Sequence, residues 1–532
     1  MKKFFTLSAL LVAFVQSRAD EVISGYITQN TTLTNDKIWL LQGFVYVTNG
    51  ATLTIEPGTI IKGDKATKGA LIITRGAKLI ANGTAQQPIV FTSNGPVGFR
   101  NYGDWGGIIL LGRASINQPG GEAVIEGGVE DGQGNGTYGG GLNPDDNDNS
   151  GILRYVRIEF CGIAFQPNSE INGLTCGGVG RGTTLEYIQV SFCGDDAFEF
   201  FGGTVNAKYL ISYRTLDDDF DTDNGYRGLI QFAYALRDPA IADVSGSNGF
   251  ESDNDPTGSP NTPFTQTVFS NITIAGPRAT SSTSINGSYR RAAHLRRNTR
   301  TSIYNSVLMG FPTGIMIDGS ACEANATNDI LQVRNTVISG CTNNFEVASG
   351  STFDISGWFN NASYNNKTYS SNTALGLKDP FNLTNPNPLP SDTSLLLSGA
   401  DFTHAALSDP FFTQVTYRGA FGTVNWTEGW AEWNPNNVPY TGISESATFT
   451  NLRIFPNPAA HSAVIQFSLA TQLPVHIFIT DLSGRHITDV IHETMAGGSH
   501  QAIIDLSQWA RGSYLVKLKA GNSSAIHRLN VL

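Results

Sequence analysis

Between Asp195 and Asp255 the sequence sets carboxylates beside aromatics at regular intervals. Phe198-Glu199, Phe220-Asp221 and Phe250-Glu251 repeat one dipeptide type, first after 22 residues and then after 30. Asp195, Asp196, Asp217, Asp218, Asp219, Asp223, Asp253 and Asp255 surround them. If the dipeptides occupy successive strands, alternation turns each aromatic inward and each carboxylate outward. Carboxylates stacked at strand spacing repel by about 1 kcal/mol or more per pair, even in a high dielectric. Solvent, arginine, a shared proton or a hard cation has to offset that repulsion. Calcium takes about six to eight oxygen ligands and suits such a cluster. Glu199, Asp218, Asp219, Asp221, Asp223, Glu251 and Asp253 are therefore the candidate calcium ligands.

A basic stretch follows, YRRAAHLRRNTR, with Arg290, Arg291, His294, Arg296, Arg297 and Arg300. Run back beside the acidic column, these arginines would neutralise it without a metal. The functional reading is a groove for an acidic polysaccharide. In β-helix lyases an Arg or Lys abstracts a proton next to a uronate carboxylate while calcium neutralises the acid. Here His294, Arg296, Asp219 and Asp221 are the weak catalytic candidates. Paired-aspartate hydrolysis through Asp218, Asp219 and Asp221 is a further form of the same idea. DTDNG at Asp221–Gly225 has the opening of a calcium loop but none of its later ligands. No catalytic motif is complete. A glycan-binding or adhesive scaffold is thus the first expectation, and a calcium-assisted lyase or glycoside hydrolase the alternative.

The elements that must carry these residues repeat. LRYVRIEFCG from Leu153 returns as LEYIQVSFCG from Leu185, and KYLISYRT places its tyrosine at Tyr209. IYNSVLMG and VRNTVISG extend the series, with anchors at Tyr304 and Arg334. Eleven residues after the last four anchors come Phe198, Phe220, Ile315 and Phe345. Val156, Ile158 and Phe160 alternate with Arg157 and Glu159, which is the period of a strand. Coils of about 22 residues with inserted loops predict an all-β fold, a right-handed parallel β-helix solenoid, whose stacked rungs share one core. Asn271, Asn305 and Asn335 stand at one rung position, where an amide ladder can form.

Residues 1–19 read as a signal peptide: Lys2 and Lys3, an apolar run from Phe4 to Val15, then Ser17 and Ala19. No later run approaches the roughly 20 apolar residues of a transmembrane segment. Only 15% of residues are charged, 58 are glycine, and the net charge is −11, which disfavours nucleic acid as a partner. Cys161 with Cys193, and Cys322 with Cys341, are the disulfide candidates, and Cys176 is left as a buried thiol. Gly120 to Ser150 reads as a solvated excursion, although Asp145, Asp146 and Asp148 could hold calcium. Phe411, Phe412, Trp426, Trp430 and Trp433 are expected to cap the end of the solenoid, which occupies 20–441. A linker follows at 442–450, then a small C-terminal β-sandwich at 451–532.

Two resemblances add to this. TLTIEPGTIIKG, GAKLIANGT, PIVFTS, GDWGGIILLG, FGGTVNAKYL, LDDDFDTDNG and DVSGSNGFESDND resemble secreted β-helix proteins of Bacteroidota. That resemblance runs over about residues 35–435 and implies no settled reaction. The final segment is similar to C-terminal sorting domains of the type IX secretion system. Pro456, Asn457, Pro458, Gly484, Arg485, Gly512, Tyr514 and Val516 fit the pattern, with Phe455 where tyrosine is commoner. It implies export through the periplasm, recognition by the outer-membrane translocon, and release or anchoring at the cell surface.

Overall fold

The computed structural model describes residues 20–166, 169–440, 449–469, 471–481, 485–520 and 523–532. The expected signal peptide lies outside them, as do Gly484 and most of the expected linker. The chain forms two compact units, with the break between 442 and 443. No helix among the described residues is long and apolar enough to cross a membrane.

The first unit is a parallel β-helix built on a sheet of 26 strands. One apolar column shows how it is made. Leu153 aligns with Leu185, then Ala207, Ile230, Phe269, Ile303 and Val333, each one rung further on. All seven are buried in one continuous core. A second column runs Val45, Leu71, Ile108, Leu174, Phe198, Phe220, Phe250, Ala293, Ile315 and Phe345. No rung could bury its apolar face alone.

The rung corner is the most constrained position. Tyr155, Tyr187, Tyr209 and Phe232 occupy it with φ of 49°, 55°, 59° and 60°, and Asn271, Asn305, Asn335 and Asn365 continue it at 52–58°. Left-handed backbone costs an aromatic residue about 1–2 kcal/mol, whereas asparagine tolerates it. The aromatic rungs recover that cost by stacking, with ring centroids 4.4, 4.3 and 5.2 Å apart. The expected anchors Tyr304 and Arg334 are thus one residue out of register. Asn305 and Asn335 hold the corner, and Ile315 and Phe345 follow it after ten residues where Phe198 and Phe220 follow theirs after eleven. The amide ladder expected through Asn271, Asn305 and Asn335 does not form among the described residues. Asn365 Nδ2 donates to Asn335 Oδ1 at 3.1 Å, but Asn271 Nδ2 donates to the Tyr417 carbonyl and Asn305 Oδ1 accepts from Asp401 N–H.

Those last two bonds belong to a strap, not a cap. The segment from Leu395 to Tyr440 runs back along the flank of the rungs. Trp430 meets Tyr155 and Tyr187 edge-on at 5.8 and 6.0 Å, Trp426 meets Tyr209 at 5.4 Å, and Trp433 meets Tyr213 at 5.1 Å. Trp430 is 2% exposed and cannot stack on a sugar. The terminal core is closed instead by the helix Ile355–Phe359, whose Phe359 packs on Phe345.

The glycine-rich excursion is likewise a cover. Ile116, Ile125, Val129 and Tyr138 bury the outward faces of Tyr46, Ile72 and Ile109. Its acids do not converge on a cation: Asp146 pairs with Arg227 at 2.9 Å, Asp148 accepts from Arg113 N–H, and Asp145 accepts from Asn147 N–H. All five cysteines are free thiols, against the pairs expected. Cys161 and Cys193 do stand on neighbouring rungs, with Gly194 N–H donating to the Cys161 carbonyl at 2.8 Å. In-register parallel strands hold equivalent positions about 4.8 Å apart, wider than the roughly 3.8 Å between Cβ atoms that a disulfide prefers. Both act as buried fillers, as does Cys176. Cys322 lies on the helix Ser320–Thr327, and the Cys341 thiol points to the Ser339 carbonyl.

The second unit packs two antiparallel sheets, of three and four strands, over one apolar core that includes Val516. Asn457 Oδ1 accepts from Asn530 N–H, Arg485 pairs with Asp481, Gly512 opens the strand Gly512–Ala520, and Tyr514 packs on Trp509.

Truncating the strap should show its weight. Trp430→Ala is expected to cost about 3–5 kcal/mol, read as a lower thermal midpoint; an unchanged midpoint would mean the strap merely lies on the solenoid.

Candidate functional site

On the outer face, the column next to the phenylalanines changes character along the solenoid. It runs Tyr46, Ile72, Ile109, Thr175, Glu199, Asp221, Glu251, His294, Met316 and Glu346. Tyr46, Ile72 and Ile109 lie under the excursion. Where that cover ends the column turns acidic, and a groove of about 470 Å³ opens, lined by twelve carboxylates and two arginines.

Glu199, Asp218, Asp221, Asp223, Glu251 and Asp253 all line this groove, as the sequence led us to expect. Asp219 does not. Its carboxylate is fully buried and paired with Arg237 at 3.0 Å, and it accepts from Ser212 Oγ at 2.6 Å. Asp219 is therefore withdrawn from the candidate ligands and from catalysis. It sits at the bend before Phe220, where strand alternation no longer governs direction. Asp217 joins the groove from the same bend, and Asp195 and Asp196 from the equivalent bend before Phe198. Glu126, Glu170 and Asp243 arrive from inserted segments that carry no local signal of their destination.

The groove is compensated at one end only. Arg296 grips both Glu251 and Asp253, the latter at 2.7 Å, and Arg297 meets Asp253 at 2.7 Å. His294 lies between Glu251 at 3.5 Å and Asp318 at 2.9 Å. Hydrogen bonding from His294 and the charges of Arg296 and Arg297 outweigh burial and hold Glu251 below the usual carboxylate range. At the other end, no ion pair among the described residues reaches Asp195, Asp196, Glu199, Asp217, Asp218, Asp221 or Asp223. Burial pushes the Asp196, Glu199, Asp218, Asp221 and Asp223 carboxyls well above their ordinary values, and facing acids add to it. Burial likewise pushes Asp217 to about 6 and Glu126 to about 7.

These acids can share cations. Oxygens of Asp195, Asp196 and Asp217 lie within 4.8 Å of one another, as do those of Asp196, Glu199 and Asp221, and of Asp218, Asp221 and Glu251. The three sets overlap into a chain along the groove. Part of the cluster is already used by the backbone: Asp196 Oδ1 accepts from Asp218 N–H at 2.7 Å, and Asp218 Oδ1 from Asn248 N–H. Two groove acids stand apart: among the described residues, Asp217 Oδ1 and Asp221 Oδ1 are buried without a hydrogen-bond partner, a costly state for a carboxylate and one that an oxygen-seeking cation would relieve.

The catalytic candidates fare less well. Arg296 is held by two carboxylates, which raise its pKa against the opposing effect of burial. Asp318 and Glu251 likewise raise His294, again against burial. Both residues are thereby biased toward their protonated forms, the opposite of what a general base requires.

Two consequences can be measured. A carboxyl whose pKa is raised on folding binds more protons in the folded state, so stability falls as pH rises from its unfolded value toward its folded one. In chelator, the thermal midpoint should fall as pH climbs from about 4 through 7, the span over which Asp217 and Glu126 ionise; a flat profile would mean that the acids are already compensated. At neutral pH in chelator, Asp221→Asn should raise stability by about 1 kcal/mol. Asp219→Ala, two residues away, should cost about 3–5 kcal/mol by stranding Arg237.

Sequence comparison agrees with this architecture. A pectate-lyase-like β-helix domain matches residues 25–379. A secretion system C-terminal sorting domain matches residues 453–531. No protein of curated function matches the chain significantly. Among solved structures, the Dettilon tailspike protein is similar at 12% identity over 60% of this chain and 62% of that one, with a TM-score of 0.25. The chain thus spans less than two thirds of the tailspike, and the likeness is too distant to bear on function. The sorting domain makes the chain a secreted protein, handled by its secretion system and placed at the cell surface or outside the cell. By the match that covers most of its length, it belongs to the family of pectate-lyase-like β-helix domains.

Proposed function

We propose that this is a glycan-binding scaffold, carried out by the type IX system, whose acidic groove holds calcium and presents it to a polysaccharide. One observation carries the reading. Among the described residues seven groove acids have no ion-pair partner, and two of them, Asp217 and Asp221, each keep a buried oxygen without a hydrogen bond. Glu199, Asp218, Asp221 and Asp223 would supply the ligands together with Asp196, while Glu251 and Asp253, held by His294, Arg296 and Arg297, would close that end of the site; calcium prefers such all-oxygen sites of variable geometry. Bound calcium would leave coordination positions for the hydroxyls or acidic groups of a sugar chain. The calcium-assisted lyase or hydrolase is the weaker reading, since His294 and Arg296 are committed to carboxylates.

Calorimetric titration of calcium into the full chain, followed by a panel of acidic and neutral polysaccharides in calcium and in chelator, tests both steps. Micromolar or tighter calcium binding is expected, lost in Asp221→Asn with Glu199→Gln, and polysaccharide binding should disappear in chelator. A chain that takes up no calcium, or binds glycans equally well in chelator, would refute the proposal.

A further inference from the structure

A cavity of about 610 Å³ shares no residue with the acidic groove and has the opposite character: two arginines line it and no carboxylate does. Register explains the space. Val47, Ile73 and Leu110 align on successive rungs, so the residues three positions further on, Gly50, Gly76 and Arg113, recur at one turn position. Gly50 and Gly76 have φ of 71° and 85°, a region that favours glycine, and they leave two rungs without a side chain there. Arg113 of the third rung folds into the gap, with a guanidinium nitrogen 3.1 Å from where a Cβ on Gly76 would stand. The excursion supplies the facing wall, fastened where the Thr48 hydroxyl donates to Asn135 Oδ1 at 3.2 Å.

The two arginines differ. Arg75 donates to Glu122 and to the Gly139 carbonyl. Arg113 has no such partner: among the described residues no carboxylate makes an ion pair with its guanidinium, and Asp148 meets its backbone N–H instead. We propose that this cavity is a subsite for an acidic sugar unit, with a carboxylate or sulfate on Arg113 and ring hydroxyls on Thr48, Asn49 and Asn143. The proposal deepens the glycan-binding reading and rests on it, but it does not rest on calcium. A guanidinium presents paired N–H donors that match the oxygens of either anion. Hydroxyl and amide groups both donate and accept, as ring hydroxyls require. A bare inorganic ion would leave most of the volume empty, and the lining has no aromatic, leucine, isoleucine or valine side chain to hold a lipid or an apolar peptide. The net charge of −11 opposes an acidic glycan everywhere else on the chain. The groove needs a cation before it can accept one, whereas here the positive group is already in place.

The test uses the full chain in saturating calcium, with surface plasmon resonance against polygalacturonate, dextran sulfate and, as the neutral control, dextran. Arg113→Gln should weaken at least one acidic probe by about tenfold, the effect of losing a charge-assisted hydrogen bond. Which probe responds tells carboxylate from sulfate. Asn49→Asp, which sets a like charge in the cavity, should act in the same direction, and dextran should respond to neither change. Both residues are exposed, so thermal midpoints and the calcium isotherm should match the parent. Parent-like affinity for both acidic probes in both variants, or a parent that binds neither acidic probe, would overturn the assignment. A chain that takes up no calcium, yet binds an acidic probe through Arg113, would defeat the groove reading alone.

Discussion

Each rung of the long unit sits one hydrogen-bonding distance, about 4.8 Å, from the next, so every position is stacked on its own equivalents. Neighbours of like type are enforced whether or not they attract. For Phe198, Phe220 and Phe250 this is favourable, and their rings stack or tilt at 5.6 and 5.7 Å. For the corner aromatics it is what makes left-handed backbone tolerable. For Glu199, Asp221 and Glu251 the same constraint is a liability, because the register that packs the phenylalanines holds the adjacent carboxylates together. The core and the acidic groove are two faces of one geometric fact.

The chain meets that liability unevenly. Arg296 and Arg297 neutralise Glu251 and Asp253 at one end of the groove, while the excursion carrying Ile125 and Val129 covers the apolar start of the column. Between them lies the stretch with neither device. The cover also brings Glu126 into the groove, adding a carboxylate where charge is already dense. An arrangement that concentrates repulsion so locally is what the proposed cation would offset.

Much of this was readable from residue order. The repeated aromatic–carboxylate dipeptide and strand alternation are local properties, so Glu199, Asp221 and Glu251 could be assigned to one outward column; that His294 continues the column, after an interval of different length, needed the register. What escaped depended on places where locality fails. Asp219 looks like its neighbours in sequence, but at a bend it turns toward Arg237, which arrives from the following rung. Tyr304 imitated the tyrosine corner while Asn305 actually occupied it, because a one-residue change in the interval from corner to next strand is invisible without the register. The tryptophans announced burial but not where. The strap they anchor runs back past some 240 residues of chain, so that Glu432 N–H meets Gln189 Oε1.

The most direct measurement of the central claim is anomalous diffraction from crystals of the full chain grown in calcium and exchanged with strontium. Anomalous peaks between Asp196, Glu199, Asp221 and Glu251, with the Asp221 oxygen now ligated, are what the account predicts. Water alone at those positions, with the acids paired among themselves through shared protons, would contradict it.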